Sequence, residues 1–336
     1  MKHSNVAIFV PHVGCPKQCT FCNQRGITGQ SKRVTPEEVV FAAETAVKTY
    51  THSNDDEIAF FGGSFTGIDP DYMESLLSAA YPYVSKGYFK GIRVSTRPDY
   101  IDLPILSTLK RYGVTSIELG AQSMDDNVLI ANRRGHTSQQ VEFAAHLISN
   151  NGFSLGLQMM TGLYKSTVEK DIETAKRLAV LKPDTMRIYP TIVLKQTELS
   201  AHYRAGRYIP PTLEESVELC AELLEFFSYM KIKVIRLGLH DSESLKQGYV
   251  AGPYHPAFRE LCESKLFLNQ FLSYIKNTDL ERSFNSYNIE VSPDRLSKAI
   301  GQKRENIERL LAMGINVCIT PNSNLSGDEI NVIPIE

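Results

Sequence analysis

No stretch of the 336 residues reaches the ~18 consecutive apolar positions of a membrane-spanning helix, so no membrane partner is expected. Charge of one sign is also missing. Lys and Arg number 36 against 38 Asp and Glu, a formal net charge of −2. Nothing global therefore points to nucleic acid or a lipid surface, and any RNA contact must come from a local patch. Cysteine is scarce. Six in a chain of this length are too few for a disulfide scaffold, and a reducing, cytoplasmic compartment is expected. The opening Met1-Lys2-His3-Ser4-Asn5 runs straight into an apolar segment, which leaves no room for a signal peptide. What is present, 42% hydrophobic and 22% charged residues, suits one large globular domain with a small appendage, or two domains.

Half of the few cysteines lie together. Cys15, Cys19 and Cys22 follow the apolar run Val6 to Val10 at a Cys-x3-Cys-x2-Cys spacing, in a loop that Gly14 and Pro16 bend. Thiolates at this spacing can converge on one metal centre. A structural zinc wants four ligands, which His12 would complete as a Cys3His set. An iron–sulfur cluster held by three cysteines instead leaves one iron open for chemistry. Cys220, on the apolar side of a long helix, and the isolated Cys262 and Cys318 read as buried small hydrophobes.

Strand-like runs followed by capped helices recur at least six times. The strand runs begin at Val6, Glu57, Gly91, Thr115, Phe153, Thr185 and Lys231. Thr35-Pro36-Glu37-Glu38 is a capping box with proline at the first helical position, and Asp69-Pro70 repeats the cap and proline. This alternation predicts an α/β fold of parallel strands with crossover helices, as an open sheet or a barrel. Function in such folds gathers at the carboxyl ends of the strands. The cysteine loop, Gly62-Gly63-Ser64, Thr96-Arg97, Gln122, Gln158 and Tyr189 all fall there. From Gly238 to Pro256 the chain reads as a loop, and residues 256–336 as a compact βααβ appendage. The predicted domains are accordingly 1–255 and 256–336.

The cysteine spacing, Phe21 before the last cysteine and the strand-end position resemble the radical S-adenosylmethionine (SAM) superfamily. Gly62-Gly63-Ser64, one βα unit later, is similar to that superfamily's SAM-binding turn, although Ser64 stands where many relatives carry glutamate. More narrowly, the chain resembles the radical SAM domain of the Elongator catalytic-subunit group. The quotable stretches are Gly14-Cys15-Pro16 through Cys22-Asn23-Gln24, Ser95 to Tyr100, Arg134-Gly135-His136-Thr137 and Tyr189-Pro190-Thr191. The resemblance implies a partial (β/α)6 barrel carrying a [4Fe-4S] cluster on Cys15, Cys19 and Cys22. It implies SAM contacts from Phe21, Gly62, Gly63, Ser64, Thr96, Arg97, Gln122, Arg134 and Gln158. Reductive cleavage of SAM would yield a 5′-deoxyadenosyl radical, fed by a flavodoxin- or ferredoxin-like electron donor. No catalytic side chain is assigned. His12 and His136 are read as hydrogen-bonding support rather than ligands, and Arg187, Tyr189 and Lys195 as candidates to face a substrate.

About 80 residues follow the resemblance, too few for the acetyltransferase domain of Elongator-type proteins, so acetyl transfer is not carried over. Leu296 to Ile307 resembles the helix–loop–helix of KH domains, with Arg304 in place of the last loop glycine, and RNA or tRNA is the substrate this suggests. Two rival readings stand beside it. One is a radical SAM enzyme acting on a small molecule or cofactor precursor; the other is a zinc-stabilised RNA-binding protein without catalysis.

Overall fold

The computed structural model describes residues 5–10, 18–23, 32–49, 56–277, 285–327 and 329–335. The chain divides into two compact units, one of residues 1–211 and 230–253, the other of 212–229 and 254–336.

The first unit alternates strand and helix in the predicted order. β1 (Asn5–Val10), β2 (Glu57–Gly62), β3 (Gly91–Thr96), β4 (Val114–Gln122), β5 (Ser154–Thr161) and β6 (Thr185–Pro190) are joined by α1 (Pro36–Thr49), α2 (Pro70–Ser85), α3 (Leu103–Arg111), α4 (Asp126–Ala131), α5 (Ser138–Asn150) and α6 (Val168–Val180). After a short β7 (Val193–Leu194) and α7 (Glu198–Arg204), a later strand β8 (Lys233–Leu237) adds to the far edge. The sheet has seven strands in the order β1-β2-β3-β4-β5-β6-β8, and every pairing is parallel. The expected caps form: Thr35 and Glu38 bond reciprocally, Asp69 accepts from Tyr72 N at 3.0 Å, and Thr137 with Gln140 makes a second capping box.

The strands' two-residue period sorts their side chains. Ile58, Phe60, Ile92, Val94, Ile117, Leu119, Met186 and Ile188 are fully buried. The alternate set, Phe9, Phe61, Ser95, Glu118, Gln158, Met160, Arg187 and Tyr189, lines one cavity. Arg187 on β6 lies 5.0 Å from the ring centre of Phe61 on β2. Four strand spacings would separate these strands by roughly 19 Å in a flat sheet, so the sheet curls into a half-barrel around that cavity. This is the partial (β/α)6 barrel expected, with β8 as an additional parallel strand.

The stretch Gly238 to Pro256, read from sequence as a loop, contains a short helix (Glu243–Gly248) and β9 (Tyr249–Ala251), which pairs antiparallel with β7. The register gives the physical reason: Val193 and Leu194 supply a partner that no local pattern in 238–256 reveals.

In the second unit, helices Leu213–Tyr229 and Phe258–Asn277 bury Cys220 and Cys262. Burial, then the neighbouring Cys220 thiol, raises the pKa of Cys262. Beyond them, β10 (Ser286–Val291), helix Leu296–Ile300, helix Glu305–Ala312 and β11 (Asn316–Pro321) form the βααβ sequence, with β10 and β11 parallel. A third strand, β12 (Ile330–Pro334), pairs antiparallel with β10 and extends the predicted appendage. Cys318 is exposed, against expectation, because β11 alternates: Val317 and Ile319 pack on the unit's core while Cys318 points away.

Candidate active site

Cys15 and His12 lie outside the described residues. Cys19 is buried, and a tight turn brings the Cys22 amide to the Cys19 carbonyl at 3.1 Å. Neighbouring loops pin this half of the cysteine loop from two sides. Thr20 bonds the Asn132 carbonyl through its amide and the Asn132 side chain through its hydroxyl, at 3.2 and 2.9 Å. The Thr20 carbonyl takes the Leu199 amide at 2.8 Å, and Asn23 donates to the Lys195 carbonyl at 2.9 Å. Phe21 packs against Val193, Leu199 and Tyr208.

Arg134 joins this loop to the sheet. Its Nη1 donates to Cys19 Sγ at 3.1 Å and its Nη2 to the Gly120 carbonyl at 2.7 Å. Nε of the same side chain is buried and has no hydrogen-bond partner among the described residues. Gly120 allows the passage: a Cβ there would sit 2.9 Å from Gln122 Nε2 and 3.4 Å from Arg134 Nη2. A register shift between Gly120 and Gln122 follows, Gln122 takes a φ of +67°, and its Oε1 meets Gln158 Nε2 at 3.4 Å. His136 is buried with Nε2 on the Ala121 carbonyl at 3.2 Å. Burial, reinforced by the Arg134 charge, pushes its pKa down to about 3, so it is a neutral prop.

At the end of β2, Gly62 has a φ of +123°, and an added Cβ would lie 2.3 Å from the Val10 carbonyl. Only glycine fits. Gly63 N bonds the same carbonyl at 3.2 Å. Ser64 is buried against Thr96, Oγ to Oγ1 2.8 Å, and accepts from the Arg97 amide at 3.3 Å. Thr96 also meets Thr66. Arg97 grips Asp99 with Nε and Nη2, each at 2.8 Å, and donates to the Arg134 carbonyl. Ser64, Thr96 and Arg97 thus brace one another and the backbone of Arg134.

A cavity of about 420 Å³ opens in front of these groups, lined by Phe21, Cys22, Gly62 and Gln158 together with Arg187, Tyr189 and Glu118. Lys195 is exposed and is not among the residues lining the cavity, its Nζ bound to the Gln247 carbonyl at 2.8 Å. The structure therefore gathers Phe21, Cys22, Gly62 and Gln158 on one cavity and sets Cys19, Gln122 and Arg134 in a bonded layer behind it. Sequence reasoning missed Glu118. It accepts from Arg93 Nη1 at 3.1 Å and Arg187 Nη2 at 2.9 Å, while Glu57 takes Arg93 Nε at 2.7 Å and Ser116 Oγ at 2.6 Å. The available signal was an ionisable residue at alternate positions of otherwise apolar strands.

Among the described residues no three His, Cys, Asp or Glu side chains converge, Cys15 lying outside them. The groups present suit a thiolate-held cluster and an adjacent ligand. The Cys22 sulfur faces the cavity, a guanidinium donates to Cys19 Sγ behind it, Arg134 Nε is buried with no acceptor among the described residues, and a glycine turn admits no side chain.

The model of the radical SAM superfamily matches residues 9–178, just over half of the chain. The chain belongs to the radical SAM superfamily. A radical SAM C-terminal domain model matches residues 183–267. As a radical SAM protein the chain is an enzyme that uses a [4Fe-4S] cluster and SAM, the class the motifs predicted. It is 31% identical to human Elongator complex protein 3 over 53% of this chain and 36% of that protein. It is 26% identical to the tRNA uridine(34) acetyltransferase of Dehalococcoides mccartyi, over 61% of this chain and 52% of that one. The chain thus spans about a third to a half of these relatives. The fold is similar to that of archaeal Methanocaldococcus infernus Elp3, at a TM-score of 0.60 and 19% identity, covering 83% of this chain and 64% of that one. No helix among the described residues is long and apolar enough to cross a membrane.

Proposed function

We propose that this radical SAM enzyme removes a hydrogen atom from a base or sugar of an RNA, with tRNA the preferred substrate. The observation that carries this reading is the single cavity shared by Cys22, the Gly62 turn and the Arg187–Tyr189 wall. Its volume, about 420 Å³, is that of a small-ligand pocket, suited to an inserted nucleoside. Similarity to proteins named for tRNA uridine modification supports the polymer as the source.

In this reading Cys15, Cys19 and Cys22 hold the cluster. The backbone at Gly62 and Gly63, with Phe21, Gln122, Arg134 and Gln158, holds SAM; Ser64, Thr96 and Arg97 hold that framework rigid. Bound together, cluster and SAM would supply radical chemistry that takes a hydrogen atom from the substrate. Arg134 donates to Cys19 Sγ, and Phe9, Phe61 and Met160 give the cavity an apolar wall. A flavodoxin- or ferredoxin-like donor supplies the electron in the cytoplasm. Residues 1–255 act as the catalytic part, and residues 256–336, with their KH-like helix–loop–helix, as an RNA-holding part.

The test is anaerobic reconstitution with tRNA deuterated in its nucleosides. Deuterium in 5′-deoxyadenosine is the expected result. Transfer from a low-molecular-weight cell fraction but never from RNA would give the cavity to a small molecule instead.

A further inference from the structure

Beside the cavity, the first unit carries a ridge of cations around a stacked Tyr164–His202 pair. The Tyr164 ring stacks on His202, centroids 4.5 Å apart and planes at 15°. Lys165 Nζ stands 5.4 Å from the Tyr164 ring, and Arg207 Nε donates to His202 Nδ1 at 3.1 Å. Arg133 extends the row through Glu198, which it meets at 2.8 Å and which lies 3.7 Å from His202. Arg133, Lys165 and Arg207 are exposed, and Arg204 is exposed within the same helix as His202. Glu198 is the one acid in this contact chain, on a protein whose net charge is −2.

The ridge is rigid and attached to the site. Tyr208 meets Tyr164 edge-on at 6.1 Å and anchors its hydroxyl on the Gly162 carbonyl at 2.6 Å. The Tyr164 carbonyl accepts from Asn132, the residue that also bonds Thr20 beside Cys19. Tyr164 and Phe21 pack on the same small cluster of Val193, Leu199 and Tyr208, and Phe21 is a wall of the cavity. Cations at intervals along a stacked aromatic platform, bordering a cavity of nucleoside size, match the recognition of a nucleic-acid strand. Phosphates take the charges, and the paired rings hold the cations in place.

We propose that the Arg133–Tyr164–Lys165–His202–Arg207 ridge docks the phosphodiester backbone of the RNA whose nucleoside enters the cavity. This rests on the RNA reading above. The ridge supplies affinity and orientation, and the cavity supplies the chemistry.

The experiment measures binding of labelled, unfractionated tRNA to the reconstituted protein across a salt series. The comparison is between wild type and Arg133→Ala, Lys165→Ala and Arg207→Ala combined. Loss of three phosphate contacts predicts at least about a tenfold weaker affinity near 0.1 M salt, and a plot of log K against log salt shallower by about 2. Restoring charge with Arg133→Lys, Lys165→Arg and Arg207→Lys recovers most of both. Dithionite-driven SAM cleavage without RNA stays at the wild-type level, which shows the variant is folded. Equal affinity and slope in wild type and variant overturn the ridge but leave the RNA reading. A defect confined to turnover with a flavodoxin-type donor assigns the ridge to that donor and overturns it also. A wild-type protein that binds no tRNA overturns both.

Discussion

Replacing Glu118 with leucine tests the charged floor of the barrel. Glu118 is 3% exposed, and its two oxygens accept from Arg93 Nη1 at 3.1 Å and Arg187 Nη2 at 2.9 Å, with Arg187 Nε 2.7 Å away as an ion-pair contact whose N–H is not aimed at the carboxylate. With Glu57 on Arg93, these four side chains set two acids against two bases. Glu118→Leu leaves one acid for two guanidinium groups, and Arg187 keeps the Tyr189 hydroxyl at 3.4 Å and the Phe61 ring at 5.0 Å but no charged partner among the described residues. Removing one partner of a buried pair costs about 3–5 kcal/mol, because the remaining charge stays desolvated. At about 2–4 °C per kcal/mol, the melting temperature should fall by roughly 6–20 °C. Arg187→Leu added to it should recover much of the loss. The pair is then absent, Arg93 retains Glu57, and two well-packed apolar groups replace two charges. Thermal unfolding of wild type, both single variants and the double variant by circular dichroism gives the coupling directly. A single-variant shift under about 2 °C, or strictly additive shifts, would refute the view that the floor is a coupled ionic unit.

Gly62→Ala must place its Cβ 2.3 Å from the Val10 carbonyl at a φ of +123°, so it should cost about 1–3 kcal/mol and weaken SAM binding in equilibrium dialysis. Normal binding would show that the turn is not the SAM cradle. Two buried groups should give opposite pH dependences. His136 has a folded pKa of about 3 against 6.5, so the unfolded state binds its proton first and stability falls as pH drops below 6.5. Burial raises Asp171 from 3.8 to about 6, so the folded state binds its proton first and stability falls as pH rises from 3.8 to 6. Relative to wild type, denaturant titrations between pH 4 and 6 should therefore shift toward a downward slope with rising pH in His136→Leu and toward an upward slope in Asp171→Asn, each by about 1 kcal/mol per pH unit. Parallel slopes in the two variants would contradict both assignments.

The fold was legible where the signals are local. Thr35 to Glu38 and Thr137 to Gln140 form the boxes their spacing requires, and each following helix lies where its apolar face predicts. Parallel order follows from the same alternation. What is nonlocal was not legible. β9 needs Val193 and Leu194 as a partner, and β12 needs β10, and neither dependence leaves a mark in the short strand itself. Cys318 misled for a related reason, since whether a strand residue faces in or out depends on a register that composition does not carry.

The candidate site divides along the same line. Backbone demands were visible, because only glycine satisfies the Gly62 turn and a thiol triplet has few uses. Side-chain pairings were not, because they depend on which face of the sheet becomes concave. Glu57, Arg93, Glu118 and Arg187 look like errors in buried strands until the sheet curls and sets them across one lumen. Arg134 belongs to both classes. Its place after β4 marked it as a ligand-binding cation, yet two of its three nitrogens are spent on Cys19 and the Gly120 carbonyl. Nε, buried with no partner among the described residues, remains to meet a bound group. A lysine at position 134, with a single nitrogen, could not make both bonds in that geometry. The guanidinium is therefore required first to couple the cysteine loop to the strand ends, and only then for any charge it offers a ligand.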